Sequence, residues 1–258
     1  MPLMGTLRLV ELSRFRWILI ATLLPLGCST SKSDLGISID PTSSARLEGL
    51  PGAIGITLRD YGDSQVREKS YEISRGRIVE VRGLPAAPKQ SYGAGIGPDG
   101  ATMLPRDGDF IYEGPYLTSP DKTRVVASVA FKKSRWMLPT SYVVGDLTRK
   151  ELISVHRDEE RLVEAIAWSP DSKFVALLRQ KQASVLHGPM EIVSSCAGHP
   201  VQYFDYYLEV INAAGRQIVS TKILGPIAGS WGELVWRPKA SNSTVETDAR
   251  KSGARGSP

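Results

Sequence analysis

Short runs of apolar and β-branched residues recur along the chain, broken every few positions by Gly, Pro, Asp, Asn or Ser. "AIGITLRDYG" (53–62), "KSYEI" (69–73) and "GRIVEVRG" (76–83) have this form. So do "GDFIYEG" (108–114), "RVVASVAF" (124–131), "SYVVGDL" (141–147) and "ELISVH" (151–156). "AIAWS" (165–169), "FVALLR" (174–179), "FDYYLEVIN" (204–212), "QIVSTKIL" (217–224) and "ELVWRP" (233–238) complete the series. Runs of this length between turn residues predict strands. Helical periodicity is nearly absent; only "DEERLVEAIAW" (158–168) has room for one helical turn ahead of a strand. An all-β fold of eight or more strands follows.

The pattern repeats. "YLTSPDKTRVVASVAF" (116–131) aligns with "IAWSPDSKFVALLRQK" (166–181), placing Ser119-Pro120-Asp121 over Ser169-Pro170-Asp171. Proline presets φ for a tight turn, and the Asp carboxylate accepts backbone N–H groups that the turn leaves free. Trp168, just before the second turn, offers a large apolar surface for an adjacent sheet. A third copy, "LVWRPK" (234–239), sets Trp236 in the place of Trp168. "YVVGDLTRKELISV" (142–155) likewise matches "YLEVINAAGRQIVS" (207–220), each a strand, a turn after Asp146 or Asn212, and a returning strand. The wider second spacing is accounted for by an insertion near 182–203.

These residues resemble the WD-repeat-like propellers of the TolB type, whose blades carry a Trp-Ser-Pro-Asp-Gly-like turn. Lys122 and Ser172 stand where that pattern has Gly. The resemblance covers about 105–238. It implies propeller-like repeats of about four blades, in a closed or an open ring, with residues 50–104 supplying the blades that lack the motif. It also implies that binding resides in the loops at the ends of the blades.

The N-terminus carries a different signal. Arg8, Arg14 and Arg16 precede the apolar run Trp17–Leu26, which is too short to cross the ~30 Å hydrocarbon core as a helix. The run ends in Leu24-Pro25-Leu26-Gly27-Cys28, which resembles a bacterial lipoprotein signal, with Cys28 as the lipidated residue. By that resemblance residues 1–27 are a signal peptide and 28–50 a polar tether. The membrane is then a partner through the lipid, and Ser29 after the Cys implies an outer-membrane address facing the periplasm. Residues 51–238 form the folded body. Residues 239–258, polar and nearly free of large apolar side chains, read as a disordered tail.

Composition adds limits. The formal charge is +5; the segment before Cys28 contributes a net +2 from three Arg and one Glu, leaving +3. No dense basic stripe occurs, so nucleic acid is not an expected partner. With Cys28 lipidated, Cys196 has no internal disulfide partner, and the body relies on core burial.

Candidate chemistry is sparse. Cys196 and His199 are spaced C-x-x-H, with His187 upstream. These residue types ligate zinc or copper, but a fourth ligand is missing and a surface loop is the leading account, so no metal or other cofactor is expected. "GIGPDG" (95–100) meets the G-x-G-x-x-G spacing, yet Pro98 and Pro105 make it a glycine loop. No Ser-elbow or paired carboxylates stand out. "RDEER" (157–161), next to His156, reads as a solvated turn. Tyr206, on the opposite strand phase to Tyr207, and Tyr203 are candidate exposed binding residues, together with His187 and His199 in the insertion. The expected function is a non-enzymatic interaction or scaffold module of the cell envelope, with a protein or cell-wall partner. The alternative is a metal- or ligand-binding propeller enzyme.

Overall fold

The computed structural model describes residues 37–60, 67–92, 104, 108–133, 138–183, 203–228 and 230–238. Its elements are α1 (Pro41–Glu48), β1 (Ala53–Asp60), β2 (Arg67–Ser74), β3 (Arg77–Val81), β4 (Ser91–Tyr92), β5 (Phe110–Thr118), β6 (Arg124–Phe131), β7 (Ser141–Asp146), β8 (Glu151–His156), β9 (Arg161–Trp168), β10 (Phe174–Gln182), β11 (Tyr203–Asn212), β12 (Gln217–Ala228) and β13 (Ser230–Arg237). All twelve runs read as strands are strands. "DEERLVEAIAW" holds no helical turn; its helix-compatible start is a bend before β9.

The strands form three antiparallel sheets that do not close into a barrel. Their orders are β13–β1–β2–β3, β4–β5–β6–β7–β8 and β12–β11–β10–β9. We call them the terminal, second and middle sheets. Three sheets, rather than about four, exist among the described residues because β1–β3 build no sheet of their own. The C-terminal β13 joins them, pairing with β1 from Ala53↔Arg237 to Asp60↔Ser230. The second and middle sheets are each a consecutive up-and-down meander, apart from the two-residue β4 on the edge of β5.

The middle sheet is covered on both faces. On one side Ala165, Ala167, Ala176, Leu178, Tyr206 and Leu208 pack with Ile54, Ile56, Leu58, Leu234 and Trp236 of the terminal sheet. On the other, Ile166, Trp168, Val175, Leu177 and Ile211 meet Val126, Tyr142 and Val144 of the second sheet. This double burial explains why β9 and β10 are continuous apolar runs rather than alternating ones. A third cluster, including Phe110, Tyr112, Val125 and Val129, lines the far face of the second sheet.

Part of the segment assigned to the tether is ordered. Asp40 caps α1, accepting from Ser43 N at 2.9 Å, and Pro41 sits in the first turn, where its missing N–H costs nothing. Leu47 is buried in the core shared by the terminal and middle sheets, and Asp40 also accepts from Thr221 Oγ1 of β12 at 2.7 Å. These bonds hold the Asp40 carboxyl at about 2, the largest share coming from Ser43. One buried Leu in an otherwise polar octapeptide leaves little helical signal in sequence.

Candidate functional site

The two Ser-Pro-Asp turns are superposable in their bonding. Ser119 Oγ and Ser169 Oγ each donate to the Asp two residues on, at 2.6 Å. The same hydroxyls accept from Arg124 N and Phe174 N at 2.9 Å. Asp121 and Asp171 accept from Thr123 N and Lys173 N at 3.0 and 3.2 Å. Lys122 and Ser172 both sit at φ 60°, in the left-handed region that Gly adopts without strain. Ser172 uses its hydroxyl instead: it accepts from Asp121 N at 3.1 Å, bonding one turn to the other. Ser119, through its hydrogen bond, is the main cause that lowers the Asp121 pKa. Trp168 Nε1 donates to Leu117 O of the neighbouring sheet at 2.9 Å, while Trp236 Nε1 donates to Pro51 O at 2.7 Å. Trp168 ends β9 and Trp236 lies one residue before the end of β13; the first indole reaches a neighbouring sheet, the second the chain just ahead of β1 in its own sheet. Pro120 and Pro170 are exposed at the turn tips.

A buried charged cluster joins the middle and second sheets. Arg179 of β10 and Glu209 of β11 are both fully buried and paired at 2.8 Å. Tyr142 Oη of β7 donates to Glu209 at 2.8 Å. Arg179 also donates to Thr140 O at 2.5 Å and Arg161 O at 2.7 Å, and lies 3.2 Å from Asp158. Burial raises the Tyr142 pKa, with Glu209 adding to it. His156 stacks on Tyr142 with centroids 4.6 Å apart; its burial lowers its pKa. The 157–161 run is therefore no plain solvated turn. Asp158 and Arg161 are drawn into this cluster because the fold places Arg179 beside them. Burial opposes ionisation of Asp158, yet the N–H of Glu160 and the guanidinium groups of Arg179 and Arg161 outweigh it and lower its pKa. Each charge here has a counter-charge, which lets the cluster stay buried where the two sheets meet, although Arg179 Nε has no hydrogen-bond partner among the described residues.

A cavity of about 270 Å³ lies between the inner strands of the middle and terminal sheets. Residues 86–90 line one side, and Ala165, Gly232 and Glu233 the other. Gln90 Nε2 donates to Ile166 O at 3.1 Å, capping the open edge of β9. Its Oε1 is buried and has no donor among the described residues. Glu164 stands next to Ala165 where the β9–β10 register slips at Leu178/Arg179, and accepts a bond from Gly232 N–H, capping the open edge of β13. Burial pushes the Glu164 carboxyl up to about 7, only partly offset by that bond. Glu233 lies 3.4 Å from Arg59. Neither Glu164 nor Gln90 is marked by the sequence; a glutamate inside a strand reads as a solvent-facing position.

The residues expected to bind are scattered. Tyr206 is not exposed: its side chain is fully buried between the middle and terminal sheets, and its hydroxyl donates to Gln180 at 3.2 Å. The strand-phase argument assumed one solvated face, whereas β11 is covered on both. Tyr203 is half-buried at the start of β11. Cys28, His187, Cys196, His199 and the 239–258 tail lie outside the described residues. Ala183 N donates to Tyr203 O at 2.9 Å, closing the hairpin from which the 184–202 segment leaves. Among the described residues no group of three or more His, Cys, Asp or Glu could hold a metal ion.

No protein-family model matches the chain, and no curated protein sequence matches it. Among solved structures, hydrazine synthase of Kuenenia stuttgartiensis is similar over 38% of this chain and 25% of that chain, at 18% identity and a TM-score of 0.26. That likeness is too slight to bear on fold or activity.

Proposed function

We propose that the chain is a propeller-like, non-enzymatic interaction module of the bacterial cell envelope, anchored by lipid at Cys28 and facing the periplasm. Three observations support the propeller-like reading. The meanders share one order, their first strands gather with β9 against both β5 and β13, and the Ser-Pro-Asp turns recur with the same bonds in adjacent sheets. Pairing β13 with β1 ties both ends of the body into one sheet, so that the repeats cannot unroll.

The observation that carries the interaction role is the placement of the longest insertion. Residues 184–202 leave and re-enter through β10 and β11, the two central strands of the middle sheet. A rigid sheet that carries a long variable connection is a common arrangement for recognition. The partner is a protein or a cell-wall component.

The test replaces 184–200 by a short Gly-Ser turn. The melting temperature is expected to stay the same, while cross-linking capture from detergent-solubilised membranes is lost. Retained capture, or an unfolded variant, overturns the assignment. For the anchor, Cys28→Ala is expected to remove the acyl mass and release the protein from the membrane fraction. A variant that stays membrane-bound overturns it.

A further inference from the structure

The fold gathers five turns from three sheets at one end of the body. The two Ser-Pro-Asp turns are bonded to each other through Ser172 Oγ. Arg124 of β6 donates to Ala213 O in the β11–β12 turn at 3.1 Å and lies in register with Asp146, where the β7–β8 turn starts. Phe174 stacks on Trp236 at 6.3 Å, and Trp236 is in register with Ile54 and through it with Ile73, just before the β2–β3 turn. These turns carry six basic residues, Arg75, Lys122, Arg149, Lys150, Lys173 and Arg216, against three acidic ones, Asp121, Asp146 and Asp171. Each of the three carboxylates accepts N–H groups of its own turn. Lys173 lies 4.0 Å from Asp171, and Arg149 3.4 Å from Glu151, both as exposed pairs. Arg75, Lys122, Lys150 and Arg216 are exposed and form no ion pair among the described residues. Three of the cations also sit in strained backbone: Arg75 at φ 49°, Lys122 at φ 60° and Lys150 at φ 57°. Gly adopts that region freely and a residue with a Cβ does not, so folding by itself favours Gly at all three. Strain kept at equivalent places points to a role outside folding.

We propose that this turn end docks on the anionic phospholipid headgroups of the membrane, through Arg75, Lys122, Arg149, Lys150, Lys173 and Arg216. Basic side chains within a Debye length of an anionic leaflet are attracted to it without any shaped pocket. Cations spread one or two to a turn across three sheets suit such a surface, whose charges are themselves spread out and mobile. A protein partner fits less well, because protein interfaces centre on buried aromatic or apolar anchors. The exposed large apolar side chains, Val79, Leu138 and Val155, all lie outside these turns. The ends of β10 and β11 from which residues 184–202 leave are at the opposite end of the middle sheet. Docking by the basic end therefore turns that connection away from the bilayer. The inference rests on the membrane-anchored reading above and adds an orientation to it.

The test is lysine acetylation of the full chain, read residue by residue by mass spectrometry, on two kinds of vesicle. One is phosphatidylcholine alone; the other contains equal parts of phosphatidylcholine and phosphatidylglycerol. Lys122, Lys150 and Lys173 are expected to react about fivefold more slowly on the anionic vesicles. Lys132 and Lys133, exposed beyond the other end of β6, are expected to react equally on both. Raising the salt to 0.5 M NaCl is expected to remove the difference. The triple change Arg75→Glu, Arg149→Glu and Arg216→Glu is expected to remove it at low salt, with the melting temperature unchanged. Equal reaction of the three turn lysines on both vesicles overturns the proposal. So does equal slowing of Lys132 and Lys133, or protection that survives salt or the triple change. Sedimentation with phosphatidylcholine vesicles reads the lipid anchor separately. A chain that sediments with them but shows no protection on the anionic vesicles keeps the anchor and loses the docking. A chain that sediments only with the anionic vesicles, with its turn lysines protected, keeps the docking and loses the anchor.

Discussion

Glu164 shows how far a single residue's chemistry departs from its sequence context. In the string "RLVEAIAW" it looks like the polar member of an alternating strand. Burial moves its carboxyl from 4.5 to about 7, so the ionised form is less welcome in the folded state than in the unfolded chain. Its contribution to stability is complete below about pH 4.5 and is lost as pH rises through 7. A shift of this size corresponds to at most about 3 kcal/mol. Glu164→Gln removes the ionisation and keeps an acceptor for Gly232 N–H. Thermal melts are therefore expected to show the variant more stable than the parent at pH 8, with the difference vanishing near pH 4.5. A parent that gains stability relative to the variant on going from pH 5 to pH 8 would contradict the assignment. The turn residues are the opposite case. Ser119, Asp121, Ser169 and Asp171 bond within five residues of themselves, so their role was legible from local spacing. Lys122 and Ser172 were legible as departures from Gly, and their shared φ of 60° is the physical content of that departure.

At the scale of elements, strand positions followed from alternation and turn chemistry, because both are local. The faces of those strands did not. Tyr206 and Tyr207 alternate as a strand requires, yet the fold covers both sides of β11: Tyr206 packs toward the terminal sheet, and Tyr207 carries Arg161 over its ring at 5.3 Å. Sequence alternation identifies two faces and does not say whether either is wet. The Arg179–Glu209 pair has the same origin. Arg179 ends the apolar run "FVALLR" and reads as a strand terminus reaching solvent; the strand instead continues to Gln182. Removing one partner leaves a buried, uncompensated charge. Arg179→Met alone is expected to cost about 3–5 kcal/mol in urea unfolding, and the double change Arg179→Met with Glu209→Leu less than the sum of the two singles. Additive losses would show that the two side chains do not act as a pair.

For the whole molecule, the decisive contact is between the ends of the described body. β13 gives β1 its second neighbour and contributes Leu234 and Trp236 to the largest core. Removing 230–258 is expected to abolish cooperative unfolding, whereas removing 239–258 alone is expected to leave the urea midpoint unchanged. A folded product lacking β13 would show that the terminal sheet stands without it. The sequence by itself determined the strand class, nearly every strand, the repeated turn and the two matching hairpins. Each depends on interactions among residues a few positions apart, and spacing in the chain is then spacing in space. Only the tertiary structure decided how many sheets those strands form, because β1 and β13 are joined across some 180 intervening positions. It also decided which polar groups are buried, since Arg179, Glu209 and Tyr206 owe their surroundings to neighbouring sheets whose approach no local pattern encodes.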